Sequence, residues 1–194
     1  MAPATPARAL KRLLDAFVAA CGFVIWAPVA AVFMLAIRLE DGGPVFFSQE
    51  RWGRGGRRFR LYKFRSMRNS RVTRVGRFLR ATGLDELPQI YNVFAGDMSF
   101  VGPRPLDPAE ADPAVPGFEE RHLVRPGLTG LAQLYCRRAA TPAEKFEYDV
   151  RYVRTWSLAG DLRLFLISVA VMVRGGWDDR EAKAGKSRKS KVES

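Results

Sequence analysis

The stretch AFVAACGFVIWAPVAAVFMLAI, residues 16–37, runs for 22 residues without a charge. As a helix it would extend about 33 Å, against a hydrocarbon core of about 30 Å, so it is long enough to cross a bilayer. Two features point instead to a helix that enters and returns. Pro28, near the middle, lacks the N–H of a helix interior and clashes with the carbonyl of Val24, so a break or sharp kink is expected there. Arg8, Lys11 and Arg12 precede the block, and Arg38, Arg51, Arg54, Arg57 and Arg58 follow it. Basic residues mark the cytoplasmic side of membrane segments, so both ends belong inside. A re-entrant helix satisfies both, provided the backbone groups freed at the break find partners. A plain kinked span is the competing reading. A signal peptide is disfavoured, because its apolar region would hold only about 7 to 15 residues. No luminal domain of any size is expected before Arg8.

The 194 residues suit one domain, apolar residues make up 47%, and they thin out toward the end of the chain. With 32 Lys and Arg against 20 Asp and Glu, the formal charge is +12, a field that attracts polyanions such as nucleic acid, anionic lipid or phosphorylated metabolites. Cys21 and Cys136 are the only cysteines; they offer neither a disulfide framework nor metal-ligand spacing, which fits a reducing cytoplasm.

Beyond the apolar block, VFFSQERW and RRFRLYKF flank the glycines of Gly53, Gly55 and Gly56, which reads as a β-hairpin with a flexible turn. Arg65, Arg68, Arg71, Arg74, Arg77 and Arg80 recur every third residue. Steps of three rotate around a 3.6-residue helix, so this is no stripe, and the stretch is expected to be partly loop with a helix starting near Val75. Leu87, Ile90, Tyr91 and Phe94 then fall at helical spacing, with Pro88 in the first turn and Gly96 as a stop. Asp85 and Glu86 are thereby placed at that helix's N-terminus. A Pro-rich loop covers residues 103–116, a turn follows at Pro126 and Gly127, and residues 143–154 have helical spacing. Leu162, Phe165, Leu166, Val169 and Val173 form a late apolar face, too short and too interrupted by Arg163 to span, which either packs in the core or lies in the membrane interface. There is no internal repeat.

Adjacent carboxylates at a helix start are ordinarily just a favourable match to the macrodipole. Here Arg80 stands five residues before Asp85, and Pro103, Arg104 and Pro105 follow the helix. A carboxylate can attack phosphorus to form an acyl phosphate once a metal or arginines neutralise the phosphates. Mg2+ is the expected metal, because it binds through one or two carboxylates plus phosphate oxygens. Arginine adds bidentate hydrogen bonds, and the flanking prolines would fix the backbone of Arg104.

The strings KRLLDAF from Lys11, YKFRSM from Tyr62, GLDELPQIYNVFAGDMSFVGPRP from Gly83 and RPGLTGLAQ from Arg125 closely resemble the monotopic phosphoglycosyl transferases, also called bacterial sugar transferases, over most of residues 10–174. The resemblance implies a re-entrant membrane helix and a catalytic face toward the cytoplasm of the bacterial inner membrane. It also implies transfer of a sugar 1-phosphate from a UDP-sugar to polyprenyl (undecaprenyl) phosphate with release of UMP. It makes Asp85 the nucleophile and a magnesium ligand and Glu86 the second member of the dyad, a base or orienting group. Arg51, Lys63, Arg80, Arg104, Pro105, Asp149 and Tyr152 match positions in or near the family's substrate site, and Arg137 matches a family arginine. Departures include Ala27 before Pro28, where serine is common, a short segment between Met67 and Val75, and Leu131, Tyr135 and Cys136 where tryptophan, asparagine and glycine are frequent. The last three bear on sugar choice more than on chemistry, and Ala27 leaves no serine hydroxyl to satisfy the broken helix.

The expected architecture is α+β and mostly helical, with a re-entrant helix broken at Pro28, a small hairpin and interfacial helices. Residues 1–44 would form the membrane segment, 45–177 the cytoplasmic catalytic region of the same domain, and 178–194 a disordered basic tail. The partners implied are a UDP-sugar, polyprenyl phosphate and inner-membrane lipid, with no nucleic acid; sugar, pathway and oligomeric state are not written in the sequence. A nucleic-acid binder is the rival suggested by the eleven arginines of residues 51–80 and the interleaved Phe59, Tyr62 and Phe64, but it leaves the dyad and the proline-flanked arginine unexplained. A catalytically silent scaffold that binds lipid phosphate is the second rival. His122, the only histidine, is expected to be a surface or packing residue, and Arg54, Arg57, Arg58 and Arg68 surface charge facing anionic lipid.

Overall fold

A computed structural model describes residues 6–136 and 139–173. The apolar block lies within one helix, α1 (Pro6–Asp41). Its stop is local: Gly42 adopts φ +69°, its N–H returns to Arg38 O at 3.0 Å, and Arg38 donates to Gly42 O at 2.8 Å, a basic residue satisfying the last carbonyls. α1 runs through Pro28 as a single helical element, so the chain is not split into two helices there, and a proline-centred bend is the form left to the expected kink. One proline removes one ladder bond, and the apolar turns on either side retain theirs. Much of the helix is bare, with Val24 78%, Ile25 67% and Val32 64% exposed.

Both ends of α1 are tied to the rest of the fold. Near its start, Arg12 donates to Val93 O at 2.7 Å and Phe94 O at 2.6 Å, and Lys11 pairs with Asp161 at 2.6 Å. Near its end, Glu40 accepts from the N–H groups of Arg74 and Val75 at 2.6 and 2.9 Å, and Asp41 pairs with Arg65. Glu40 thus satisfies two of the four free donors at the start of α2 (Arg74–Thr82), and the Thr73 hydroxyl takes a third from Gly76. The helix expected near Val75 is this one.

The hairpin is β1 (Phe46–Trp52) paired antiparallel with β2 (Arg58–Phe64), in register Arg51↔Phe59 and Phe47↔Lys63. Its tip is docked rather than loose: Gly55, at φ +67°, donates to His122 O at 2.7 Å. Residues 67–72, expected as loop, form two-residue strands β3 (Met67–Arg68) and β4 (Arg71–Val72) around Asn69 and Ser70 in left-handed conformations.

A 3-10 turn over Leu84–Glu86 precedes α3 (Gln89–Ala95), which Pro88 caps. Asp85 and Glu86 therefore lie one turn upstream of the α-helix rather than in its first turn. Gly96, at φ +95°, ends α3 as expected. The face turned inward is Gln89, Asn92 and Val93, whereas Tyr91 and Phe94 are about half exposed. Asn92 is fully buried because it continues the sheet: it accepts from Tyr62 N–H at 3.2 Å and donates to Arg60 O at 2.8 Å, closing the free edge of β2.

Strand β5 (Ser99–Val101) pairs in parallel with β6 (Gly127–Thr129), so Gly127, expected in a turn, opens a strand. A Cβ on Gly127 would lie 2.1 Å from Gly102 N, and this close backbone crossing is what fixes the start of the loop carrying Arg104. The remaining helices are α4 (Phe118–Arg121), α5 (Leu131–Tyr135), α6 (Pro142–Arg154), which opens on a Thr141–Glu144 capping box, and α7 (Leu158–Val173). Helix α6 matches the expected one at residues 143–154. On α7 the buried positions are Asp161, Leu164 and Ser168, while Leu162, Leu166 and Val169 are 60%, 58% and 39% exposed. Of the two readings of the late apolar face, core packing therefore does not hold for these three residues.

Three apolar clusters hold these pieces together. Ala19 of α1 packs with Leu61, Val93 and Met98. Ile37, at the other end of α1, packs with Phe64 and Leu79. Val101, Leu134, Tyr152 and Leu164 form the third, between β5, α5, α6 and α7. Truncating fully buried Leu79 to Ala would cost about 2 to 5 kcal/mol. The structure is mostly helical with small two-stranded sheets.

Candidate active site

Alternation along β2 sends Phe59, Leu61 and Lys63 to one face. Leu61 enters the core, and Lys63, two residues on, reaches the 3-10 turn. Its Nζ donates to Glu86 Oε1 at 2.7 Å. The same oxygen accepts from Arg104 at 3.0 Å, so strand, turn and Pro-flanked loop converge on one carboxylate. Burial alone would raise the Glu86 carboxyl; Arg104 and then Lys63 outweigh it and hold Glu86 below the ordinary glutamate value.

Asp85 is treated differently. Burial pushes its carboxyl up, the Glu86 charge pushes it further, and Lys63 and Arg80 oppose this only in part. Glu86 takes both cations, and among the described residues Asp85 enters no ion pair. The two adjacent carboxylates thus sit in different environments: Glu86 is anchored by two cations, and Asp85 has room for another cation. Among the described residues no group of three His, Cys, Asp or Glu could cage a metal. A lone carboxylate suits Mg2+, which keeps waters and shares substrate phosphate oxygens, so Asp85 fits the expected ion.

Arg104, 57% exposed at its side chain, has donors to spare for a ligand. Arg51 pairs with Asp107 at 2.9 Å and lies close enough to Arg104 and Glu86 to feel both charges. Burial lowers the Arg51 guanidinium somewhat, and Asp107 opposes that. Arg80 is exposed, near Asp85, and its guanidinium rests on Met67 Sδ at 3.2 Å. Pro105 is half-buried beside Arg104. Lys63, Arg80, Arg104 and Arg51 thus surround the dyad, an arrangement suited to phosphate groups.

Asp149 and Tyr152 do not join them. Asp149 is 3% exposed and accepts from Arg121 Nε at 3.0 Å; burial raises its carboxyl to about 6 against the pull of Arg121. The Tyr152 hydroxyl donates to Val101 O at 3.0 Å and Asp161 at 2.8 Å, and burial, then Asp161, push it far above the ordinary phenol value. Arg137 lies outside the described residues. His122 is a packing residue, its ring 4.7 Å from that of Phe118. Arg57 and Arg58 are exposed, and Arg68 caps Asp41 O at 3.1 Å. Sequence reasoning missed Arg121 and Asp107. The first stands in the run FEER, which looks like a solvated surface, and no local signal marks it as buried.

A profile described as bacterial sugar transferase matches residues 6–175. A UDP-glucose:undecaprenyl-phosphate glucose-1-phosphate transferase of Caulobacter vibrioides is 42% identical, over 82% of this chain and 68% of its own length. An Escherichia coli protein of the same name is 38% identical, over 84% of this chain and 40% of its own length. An Aeromonas hydrophila UDP-N-acetylgalactosamine-undecaprenyl-phosphate N-acetylgalactosaminephosphotransferase is 38% identical, over 86% and 44%. The chain therefore spans less than half the length of the latter two.

Proposed function

The chain belongs to the bacterial sugar transferase family, and from that premise we propose that it transfers a sugar 1-phosphate from a UDP-sugar to undecaprenyl phosphate, an initiating step of glycoconjugate or exopolysaccharide assembly. The observation that carries this reading is the contrast within the dyad: Glu86 is bound by Lys63 and Arg104, and among the described residues Asp85 enters no ion pair.

An Asp85 carboxylate oxygen attacks the sugar-bearing phosphorus of the donor. The bond from that phosphorus to the bridging oxygen breaks, and UMP leaves with the oxygen and its electron pair. An oxygen of the lipid phosphate then attacks the sugar-phosphoryl aspartate and releases the carboxylate. Arg104, Arg80 and Lys63 offset the phosphate charge that would otherwise repel Asp85. Asp85 would also hold Mg2+, which supplies further charge neutralisation at the phosphates when bound. Two half-reactions let a soluble donor leave before a lipid acceptor enters.

The membrane path proposed is re-entrant, with the active site on the cytoplasmic face of the inner membrane. It is supported by the tethering of both ends of α1 to one globular region, at Val93, Phe94 and Asp161 on one side and Arg65, Arg74 and Val75 on the other. Between them Val24, Ile25, Val32 and Leu35 are exposed. On this reading α1, held at both ends by one region, enters and leaves by the same membrane face, with its bend at Pro28, where one ladder bond is missing.

Purified protein with Mg2+ and UDP-sugar labelled in the sugar phosphate, given no acceptor, should release UMP and retain label. Asp85→Asn should do neither while keeping its melting temperature, and undecaprenyl phosphate should discharge the label. Near-normal turnover of Asp85→Asn, or label on Glu86, would refute the assignment.

A further inference from the structure

The loop that carries Arg104 has three carbonyls held from three parts of the fold. Gly127 N–H donates to Pro103 O at 2.8 Å, and Trp52 N–H to Leu106 O at 3.0 Å. Between them the Arg121 guanidinium donates to Arg104 O at 2.7 Å. The outer two bonds are backbone to backbone and survive most substitutions. The middle one depends on a side chain.

Arg121 is 4% exposed, its guanidinium 4.6 Å from the centroid of Phe146. Its Nε and terminal nitrogen reach Asp149 Oδ2 at 3.0 and 2.9 Å, and that same terminal nitrogen reaches Arg104 O. The other Asp149 oxygen is buried and has no partner among the described residues. As a device for joining α4 to α6 this is wasteful, because desolvating two charges offsets most of their attraction and an apolar pair would fill the space as well. The same two helices are also joined at the surface, where Arg154 donates to both oxygens of Glu120 at 2.7 and 2.8 Å without touching the loop. What an apolar pair could not supply is a donor for Arg104 O.

We propose that Arg121 and Asp149 are positioning residues for the transfer reaction. Asp149 neutralises and aims Arg121, and Arg121 fixes the backbone of Arg104 so that its guanidinium meets Glu86 and the donor phosphates. The proposal rests on the transfer activity proposed above, and it moves Asp149 from substrate contact to support of Arg104.

The test is a double-mutant cycle on the full chain in lipid nanodiscs, with UMP release measured against UDP-sugar and undecaprenyl phosphate. Donor Kd is titrated alongside, because it stays readable where turnover falls below detection. Arg121→Gln and Asp149→Asn are made alone and with Arg104→Ala. Each alone should lower kcat between about tenfold and a hundredfold, the range for misplacing a catalytic group. Neither should deepen the defect of Arg104→Ala, because groups that act through one another are not additive. Arg121→Lys should recover part of the loss, since an ammonium lacks the fork that reaches both acceptors. Arg154→Gln, which loosens the same helix pair, should change kcat less than twofold. Fully additive losses in the Arg104→Ala background would overturn the proposal, as would an Arg154→Gln defect equal to that of Arg121→Gln. Failure of both Arg121→Gln and Asp149→Asn to fold, read from thermal melts, would overturn it too, by assigning the pair to the core. A wild type that releases no UMP with any donor removes the activity and the proposal together, whereas an active wild type with additive losses removes the proposal alone.

Discussion

Lys63 Nζ donates to Glu86 Oε1 across 2.7 Å, joining the end of β2 to the turn that leads into α3. Register decides this contact. Lys63 shares a strand face with Leu61, which is anchored in the core, so the lysine has one direction in which to extend.

Lys63→Met removes one of the two cations on Glu86. Loss of a charge-assisted hydrogen bond of about 1.5 to 3 kcal/mol should slow UMP release by about 10- to 100-fold, with melting temperature nearly unchanged because the lysine is partly exposed. Lys63→Arg should restore part of the rate. Wild-type kinetics in Lys63→Met would mean that Arg104 alone suffices to hold Glu86.

Arg104→Lys keeps the charge and loses the planar fork. The guanidinium spends one nitrogen on Glu86 and has others for phosphate, whereas an ammonium cannot bind two phosphate oxygens in that geometry. A drop of about tenfold or more in kcat/KM is expected, and Arg57→Gln, at an exposed position, should stay within about twofold. Steady-state kinetics over a range of donor concentrations decides between a contact with substrate and a structural role.

Topology is open to cysteine labelling once Cys21 and Cys136 are changed to serine. Ala9→Cys lies near the start of α1 and Arg71→Cys in β4, beyond its end; both positions are exposed, and both should react only from the cytoplasmic side of sealed vesicles. Pro28→Leu restores an uninterrupted hydrogen-bond ladder to an apolar helix long enough to span, so a fraction of that variant should expose residue 9 on the periplasmic side. Periplasmic labelling of Ala9→Cys in the Pro28 protein would make α1 a simple span.

Asp149 gives a pH signature. Its carboxyl titrates at about 6 in the fold, raised by burial, and near 3.9 when unfolded. Between those values the folded state holds a proton that the unfolded state has released, so this group favours folding increasingly as pH falls from about 6 to about 4 and changes nothing above. Asp149→Asn cannot titrate. The difference in Tm between wild type and Asp149→Asn should shift in favour of wild type as pH drops through that window. A flat or reversed difference would mean that Arg121 holds the carboxylate ionised.

Much of the architecture was legible because its causes are local. The hairpin follows from two apolar and aromatic runs around glycines, the end of α3 from Gly96, and α6 from helical spacing over residues 143–154. The dyad and Arg104 could be named as partners because phosphate chemistry requires carboxylate and arginine together. At Pro28 the lost ladder bond was legible and the persistence of the helix beyond it was not. A proline's local cost is real, but the helix turns on either side tolerate one lost bond.

By itself the sequence determined the apolar helix, the α+β class with its small hairpin, and the residues able to carry phosphoryl chemistry, since composition, period and turn chemistry act over a few neighbours. Tertiary structure alone decided which side chains share an environment. Asn92 is buried because β2 has a free edge, the face of α7 is set by what packs beneath it, and Arg121 within FEER lies in the interior because Asp149, 28 residues away, meets it there. Burial and pairing are properties of surfaces brought together by the whole chain, and a charged residue carries no mark of which carboxylate it will find.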